Sequence, residues 1–179
     1  MTASAGYKQA STDSELRQIL HLQSCNLPEN LAPEEKTREG FVTVKHNLEL
    51  LRQMNAVCPH TLAVHNDKVI GYALSMHPSF GDTIPILKPM FAEIKKNGCR
   101  KNDFIVMGQI CIEKAYRGQG IFRGLYQNMK AFLFPNFTKI ITEVDAKNVR
   151  SLNAHLAIGF KEIHRYKDGC REWMLIVLE

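Results

Sequence analysis

The sequence predicts a mixed α/β protein, with one central sheet and helices on its faces. Two observations carry this expectation. Strand-like runs alternate with stretches of helical spacing, and strand–turn–strand hairpins stand toward both ends of the chain. A chain of 179 residues is long enough for one substantial core and too short to argue for two, so a single domain over 1–179 is expected.

The elements follow in order. Residues 5–10 read as a short strand. Thr12-Asp13-Ser14-Glu15 has capping-box spacing, and Leu16, Ile19, Leu20 and Leu22 support a helix behind it. A second helix is expected over 43–57, where Val44, Leu48, Leu50, Leu51 and Met54 keep helical spacing. Thr61 to His65 and Val69 to Met76 read as strands joined by Asn66-Asp67, which is hairpin chemistry. Across 77–102, Pro78, Gly81, Pro85 and Pro89 interrupt the pattern, and Met90 to Lys96 is one short helix. Asp103 to Ile112 is a strong strand that enters the turn Arg117-Gly118-Gln119-Gly120, followed by a helix to residue 133 with Ile121, Leu125, Met129, Phe132 and Leu133 along one face. Lys139 to Val144 is a strand, Val149 to Ile158 a helix stopped at Gly159, and Phe160 to Leu178 a closing hairpin with its turn at Lys167-Asp168-Gly169.

Bulk properties narrow the function. Apolar runs such as Phe104 to Met107 and Met174 to Leu178 fall far below the ~20 residues of a membrane helix. The amino-terminal stretch does not read as a secretory signal. Five scattered cysteines, Cys25, Cys58, Cys99, Cys111 and Cys170, suit reduced thiols in a cytoplasm better than a disulfide frame or a zinc site, and no metal is expected. Asn136-Phe137-Thr138 matches a glycosylation acceptor most simply by chance. The net charge of +5 fits a polyanionic small ligand or acidic partner. The basic residues are dispersed, with one cluster at Lys95-Lys96 and Arg100-Lys101, so no nucleic-acid partner is expected.

The strand–glycine turn–helix segment carries the chemistry. A glycine-rich bend entering a helix presents backbone N–H groups and the positive end of the helix dipole, where phosphates bind readily. On the glycines alone, a plain tight turn is the simpler reading. A P-loop is absent, and Gly118, Gly120 and Gly124 give G-x-G-x-x-x-G, not the dinucleotide spacing.

The run Ile110-Cys111-Ile112-Glu113-Lys114-Ala115-Tyr116-Arg117-Gly118-Gln119-Gly120-Ile121-Phe122 resembles motif A of the GNAT acetyltransferases. Glu143 to Asn148, through to Gly159-Phe160, resembles that family's motif B. The resemblance covers about residues 60–179 and implies a GNAT fold with a splayed central strand pair, acetyl-CoA as cosubstrate and an amine acceptor. It implies that Arg117, Gly118, Gln119, Gly120, Ile121 and Phe122 wrap the CoA pyrophosphate. Ile110, Cys111 and Ile112 would pair with the pantetheine arm in the slot beside strand 139–144, and Asn148 would hold its end. Amides near Ile112 would stabilise the oxyanion. Phe122 departs from the family's Gly or Ala, so its ring must turn into the core. Glu143 occupies the place of a general base, with Glu113 a weaker rival and a plain strand carboxylate as the alternative. His155 stands where many members carry a Tyr acid. A Cys111 acyl-enzyme ranks below direct transfer.

By the same resemblance the acceptor approaches residues 25–45 and 77–102. The second stretch reads as a lid, a homodimer contact, part of the amine pocket or a surface elaboration. Its basic residues argue mildly against a polycationic acceptor. Two other functions stay open: a catalytically weak acyl-CoA-binding or sensor domain, and a transferase of longer acyl groups.

Overall fold

The computed structural model describes residues 5–31, 42, 44–100, 103–134 and 136–179. In chain order its elements begin with strand β1 (Gly6–Gln9), helices α1 (Asp13–Ser24) and α2 (Leu48–Val57), and strands β2 (Thr61–His65) and β3 (Lys68–Met76). Helix α3 (Lys88–Lys96), strand β4 (Phe104–Ile112), helix α4 (Ile121–Leu133) and strand β5 (Lys139–Asp145) follow. Helix α5 (Val149–Leu156) and strands β6 (Lys161–Asp168) and β7 (Arg171–Leu178) complete the set. The described residues form two compact units, Met1–Ser75 with Gly108–Leu133, and Met76–Met107 with Phe134–Glu179. Strand order is β1-β2-β3-β4 in the first and β4-β5-β7-β6 in the second, β4 contributing its last five residues to one and its first four to the other.

In the first unit, β1, β2 and β3 pair antiparallel. Asn66 and Asp67 turn β2 into β3 with φ of 49° and 60°, as their side-chain chemistry predicts. The capping box forms: Thr12 Oγ1 accepts the Glu15 N–H at 3.2 Å and Glu15 Oε2 accepts the Thr12 N–H at 3.0 Å. Helix α2 starts at Leu48, not at 43, because Asn47 caps it, its Oδ1 accepting the Leu50 N–H at 2.8 Å. Val44 therefore lies outside the helix. Of the 25–45 stretch, residues 32–41 and 43 lie outside the described residues.

Successive residues of β3 place α1 and α4 on opposite faces of this unit's strands. A Cβ on Gly71 would stand 3.4 Å from Ile121 and Leu125 of α4, whereas Tyr72 reaches Gln109 and, through it, α1. That sandwiching explains why every residue of β3 after Lys68 is buried. Helix α4 packs against β1 at Gly124, where a Cβ would overlap the Tyr7 hydroxyl. Gly124→Ala is therefore expected to cost about 1 kcal/mol, since displacing the Tyr7 ring outweighs the helix propensity gained. In a Tyr7→Ala background the same change should stabilise by about 1 kcal/mol. Denaturant melts of the four chains test this, and one sign in both backgrounds would refute the close contact.

In the second unit, Phe104, Ile105 and Val106 pair parallel with Lys139, Ile140 and Ile141. One step on, the Thr142 hydroxyl donates to the Met107 carbonyl at 2.9 Å, so a side chain takes the carbonyl after the ladder. Strand β7 lies antiparallel between β5 and β6. The β6–β7 turn is Gly169-Cys170, one residue later than expected, because Asp168 still pairs with Arg171 and Gly169 supplies the left-handed φ of 56°. Helix α3 reaches back to Lys88, with Pro89 in the first turn where a missing N–H is harmless. The 77–102 stretch is not bare loop: Ile84, Leu87, Met90 and Ile94 are buried, and Glu93 ties α3 to β6 through His164 at 3.6 Å. Lys101 of the expected basic cluster lies outside the described residues.

Candidate active site

The glycine turn and its strand stand in the first unit. Gly118 and Gly120 adopt φ of 74° and 81°, and a Cβ at either meets nothing within 4 Å. Their requirement is thus the left-handed backbone, not space, and the surface above them is open. The helix begins directly after this turn, at Ile121. The first turn of α4 carries no acidic residue, so the amides and dipole there favour an anion. Phe122 is half-buried with its ring edge-on to the fully buried Tyr126 at 5.2 Å, which turns it along the helix. The residues present therefore fit a pyrophosphate.

Arg117 braces the turn. Its Nε donates to the Ile112 carbonyl at 3.1 Å and its Nη2 to Asn26 Oδ1 at 2.6 Å. The Gln119 amide folds back onto the Ala115 carbonyl at 2.9 Å, leaving the main chain as the turn's outer surface. Glu113 pairs with Lys68 at 2.6 Å. A cavity of about 270 Å³ opens beside these groups, bounded by His21, Asn26, Lys68, Glu113, Lys114 and Arg117. Along β4, Gln109 and Cys111 are buried while Ile110 and Ile112 are only half-buried. Burial pushes the Cys111 thiol up to about 12, so it is held as a thiol.

Glu143, Asn148 and His155 stand in the second unit. Glu143 and Tyr166 are joined by a hydrogen bond in which the phenol donates to Glu143 Oε2. The β5–β7–β6 register places Glu143, Leu175 and His164 in one row and Asp145, Trp173 and Tyr166 in the next, on the same face. Burial raises the Glu143 carboxyl to about 7, against the Tyr166 hydrogen bond, with Asp168 adding repulsion. Tyr166 was invisible as a partner in the sequence, because 23 positions and an intervening helix separate the pair.

Asn148 caps α5, its Oδ1 accepting the Ser151 N–H at 3.1 Å. His155 is 2% exposed, edge-on to Phe160 at 5.1 Å. Its Nδ1–H donates to the Ser151 carbonyl at 2.7 Å. Burial lowers the ring to about 4, so it stays neutral at pH 7. The expected site residues therefore divide, with 110–112 and 117–122 in one unit and Glu143, Asn148 and His155 in the other. Among the described residues, no three His, Cys, Asp or Glu side chains are grouped to hold a metal ion, and no helix is long and apolar enough to cross a membrane.

The buried histidines set the acid stability. Burial lowers His46 and His155 to about 4 and His60 to about 3, from an ordinary 6.5. The unfolded chain then binds protons that the folded one refuses. Stability is complete above the ordinary value and is lost as pH falls toward the folded ones, by about 2 kcal/mol per histidine between pH 7 and pH 5. Glu143, raised, acts oppositely: its stabilisation is complete below 4.5 and lost as pH rises through about 7. The net expectation is a clear fall in melting temperature from pH 7 to pH 5. An unchanged midpoint would mean that these rings are not buried neutral.

The fold and the glycine turn define the class. Residues 16–160 match the model of the acetyltransferase (GNAT) family, and the chain belongs to that family. No curated protein matches it. Among solved structures it resembles the ribosomal-protein-S18-alanine N-acetyltransferase of Escherichia coli, at 12% identity over 98% of this chain and 93% of that one, TM-score 0.65. Naa50 of Arabidopsis thaliana, in complex with the bisubstrate analogue CoA-Ac-MVNAL, aligns at 14% identity over 98% and 99%, TM-score 0.65. A phosphinothricin acetyltransferase of Sinorhizobium meliloti, in complex with AcCoA, aligns at 17% over 99% and 88%, TM-score 0.61. At these identities the likeness is one of fold.

Proposed function

We propose that the chain is a single N-acyltransferase domain that moves an acetyl group from acetyl-CoA to a primary amine by direct attack on the thioester. The observation that carries this reading is the turn at Gly118 and Gly120, two left-handed glycines opening onto a helix N-terminus without acidic residues. In it, the amides of 117–122 hold the pyrophosphate, the main chain of Ile110, Cys111 and Ile112 receives the pantetheine, and Asn148 bounds its end. The thioester supplies an electrophilic carbonyl and a thiolate leaving group. Amides near Ile112 stabilise the oxyanion.

A lysine-like amine, with an ordinary value of ~10.4, must lose a proton to attack. Glu143 accepts it, and a carboxyl near 7 suits a base working at neutral pH. The N–C bond forms, the C–S bond breaks, and the departing thiolate takes up the second proton, which the nitrogen sheds as the amide forms. An ordinary thiol value of ~8.5 makes that departure feasible unaided. His155 therefore needs no acid role, since its Nδ1 proton is already donated to Ser151. The Cys111 thiol, pushed to about 12, favours direct attack over an acyl-enzyme.

Calorimetry against acetyl-CoA, free CoA and ATP tests the binding. Acetyl-CoA and CoA should bind and ATP should not. No binding of any CoA compound ends this reading. Thiol release with an amine panel follows, headed by peptide amino termini, since two of the structural neighbours carry an alanine acceptor or a peptide analogue in their names. A second reading, an acyl-CoA sensor, is favoured by the committed His155 proton and by Phe122 at the motif's sixth position. It predicts CoA binding with no turnover of any amine, hydroxylamine included.

A further inference from the structure

We propose that Gln109 is a positioning residue for acyl transfer, a proposal that rests on the acyltransferase reading. Gln109 precedes Ile110 in β4 and is 7% exposed. Its Oε1 accepts from Gln23 Nε2 at 2.7 Å and from the Tyr72 hydroxyl at 2.6 Å, and its Nε2 donates to the Val44 carbonyl at 2.8 Å. Gln23 donates in turn to His46 Nδ1 at 2.9 Å and accepts the His46 main-chain N–H at 2.9 Å. Burial keeps the His46 ring neutral, which leaves Nδ1 able to accept. Gln23, His46 and Tyr72 are themselves buried. One side-chain amide thus joins β4 to α1, to β3 and to the segment entering α2.

Such a network is a poor device for stability, because apolar residues of the same shape are often as good. What it supplies is direction: three hydrogen bonds fix the amide, and with it the strand, in a way that apolar contact does not. Strand β4 needs this at residue 109. Upstream, Phe104 to Val106 are held by ladder pairs and the Met107 carbonyl by the Thr142 hydroxyl. Downstream, the proposed site uses the main chain of 110–112 for the ligand. Gln109 holds the strand between them from the buried face, leaving the half-buried face of Ile110 and Ile112 to the substrate.

The test uses the full chain and hydroxylamine, a small acceptor already neutral at pH 7. Gln109→Met should lower kcat for acetohydroxamate formation about tenfold or more, because misplacing a reacting group by a fraction of an ångström is enough. The Kd for acetyl-CoA should stay within about threefold, since the 117–122 turn is untouched. Gln109→Glu provides rescue: protonated, it can again donate to the Val44 carbonyl, and ionised it cannot. Its kcat relative to the unmodified protein, measured at each pH, should therefore rise as pH falls through neutrality. A folded Gln109→Met chain with undiminished kcat overturns the proposal. So does a parallel loss of kcat and acetyl-CoA affinity, or a Gln109→Glu ratio flat with pH. If the unmodified protein neither binds acetyl-CoA nor acetylates hydroxylamine, the acyltransferase reading falls and takes this proposal with it.

Discussion

Glu143→Gln is expected to lower kcat for an amine that is protonated in solution by about 10²- to 10³-fold at pH 7, while hydroxylamine, which has no proton to shed first, loses far less. The contrast follows from the environment of the carboxyl. Burial raises it to about 7, so near neutrality a large share is ionised and the acid it forms is a weak one. The rate should climb with pH through an apparent value near 7 and then level. Tyr166 sets where that limb lies, because its hydroxyl donates to the carboxylate and so favours the charged form. Tyr166→Phe should move the limb to higher pH, with Asp168 left to add its repulsion unopposed by the phenol. A pH–rate profile of the three chains decides the matter. If Glu143→Gln affects both acceptors equally, the side chain is structural and another group takes the proton.

Arg117→Glu should weaken acetyl-CoA binding by about 10²-fold or more. The guanidinium holds the turn from behind, through the Ile112 carbonyl and Asn26 Oδ1. Hydrogen bonds from a charged donor contribute about 1.5–3 kcal/mol each, and every 1.4 kcal/mol is about tenfold in affinity. The reversal adds repulsion beside the proposed pyrophosphate site, so the loss should shrink as salt is raised. Calorimetry at two ionic strengths reads both effects. An unchanged Kd would remove the turn from the binding site.

Local chemistry explains what was legible in advance. Capping boxes, a two-residue hairpin and the glycine turn are decided by neighbours a few positions apart: Thr12 and Asn66 do what their side chains dictate, and Gly118 what the lack of one permits. The misplaced start of α2 shows the limit: apolar spacing at Val44 suggested one more turn of helix, but the Asn47 cap decided the boundary. The candidate site was half legible. Motif spacing pointed to 117–122 and to Glu143, yet the partners that give them their character come from distant segments. Asn26 lies 91 positions from Arg117, Tyr166 lies 23 from Glu143, and Gln23 lies 86 from Gln109. Pairing of that kind is a property of topology, which no local pattern carries. His155 is a different case, since its place in a motif suggested an acid and only its burial and the Ser151 carbonyl reveal a neutral ring.

The position of β6 at the outer edge of β4-β5-β7-β6 also bears on how the chain survives partial unfolding. Its neighbour β7 buries Met174, Leu175, Ile176 and Val177 in an unbroken row, the kind of segment that stacks into cross-β aggregates once uncovered. Strand β6 is built to refuse such stacking. Lys161, Glu162, His164, Arg165, Lys167 and Asp168 put a polar or charged group on nearly every position of it, so a second chain that approached this edge would have to desolvate them. The hairpin thus pairs an adhesive strand with a repellent one, and variants that loosen β6 should precipitate before they lose their remaining secondary structure.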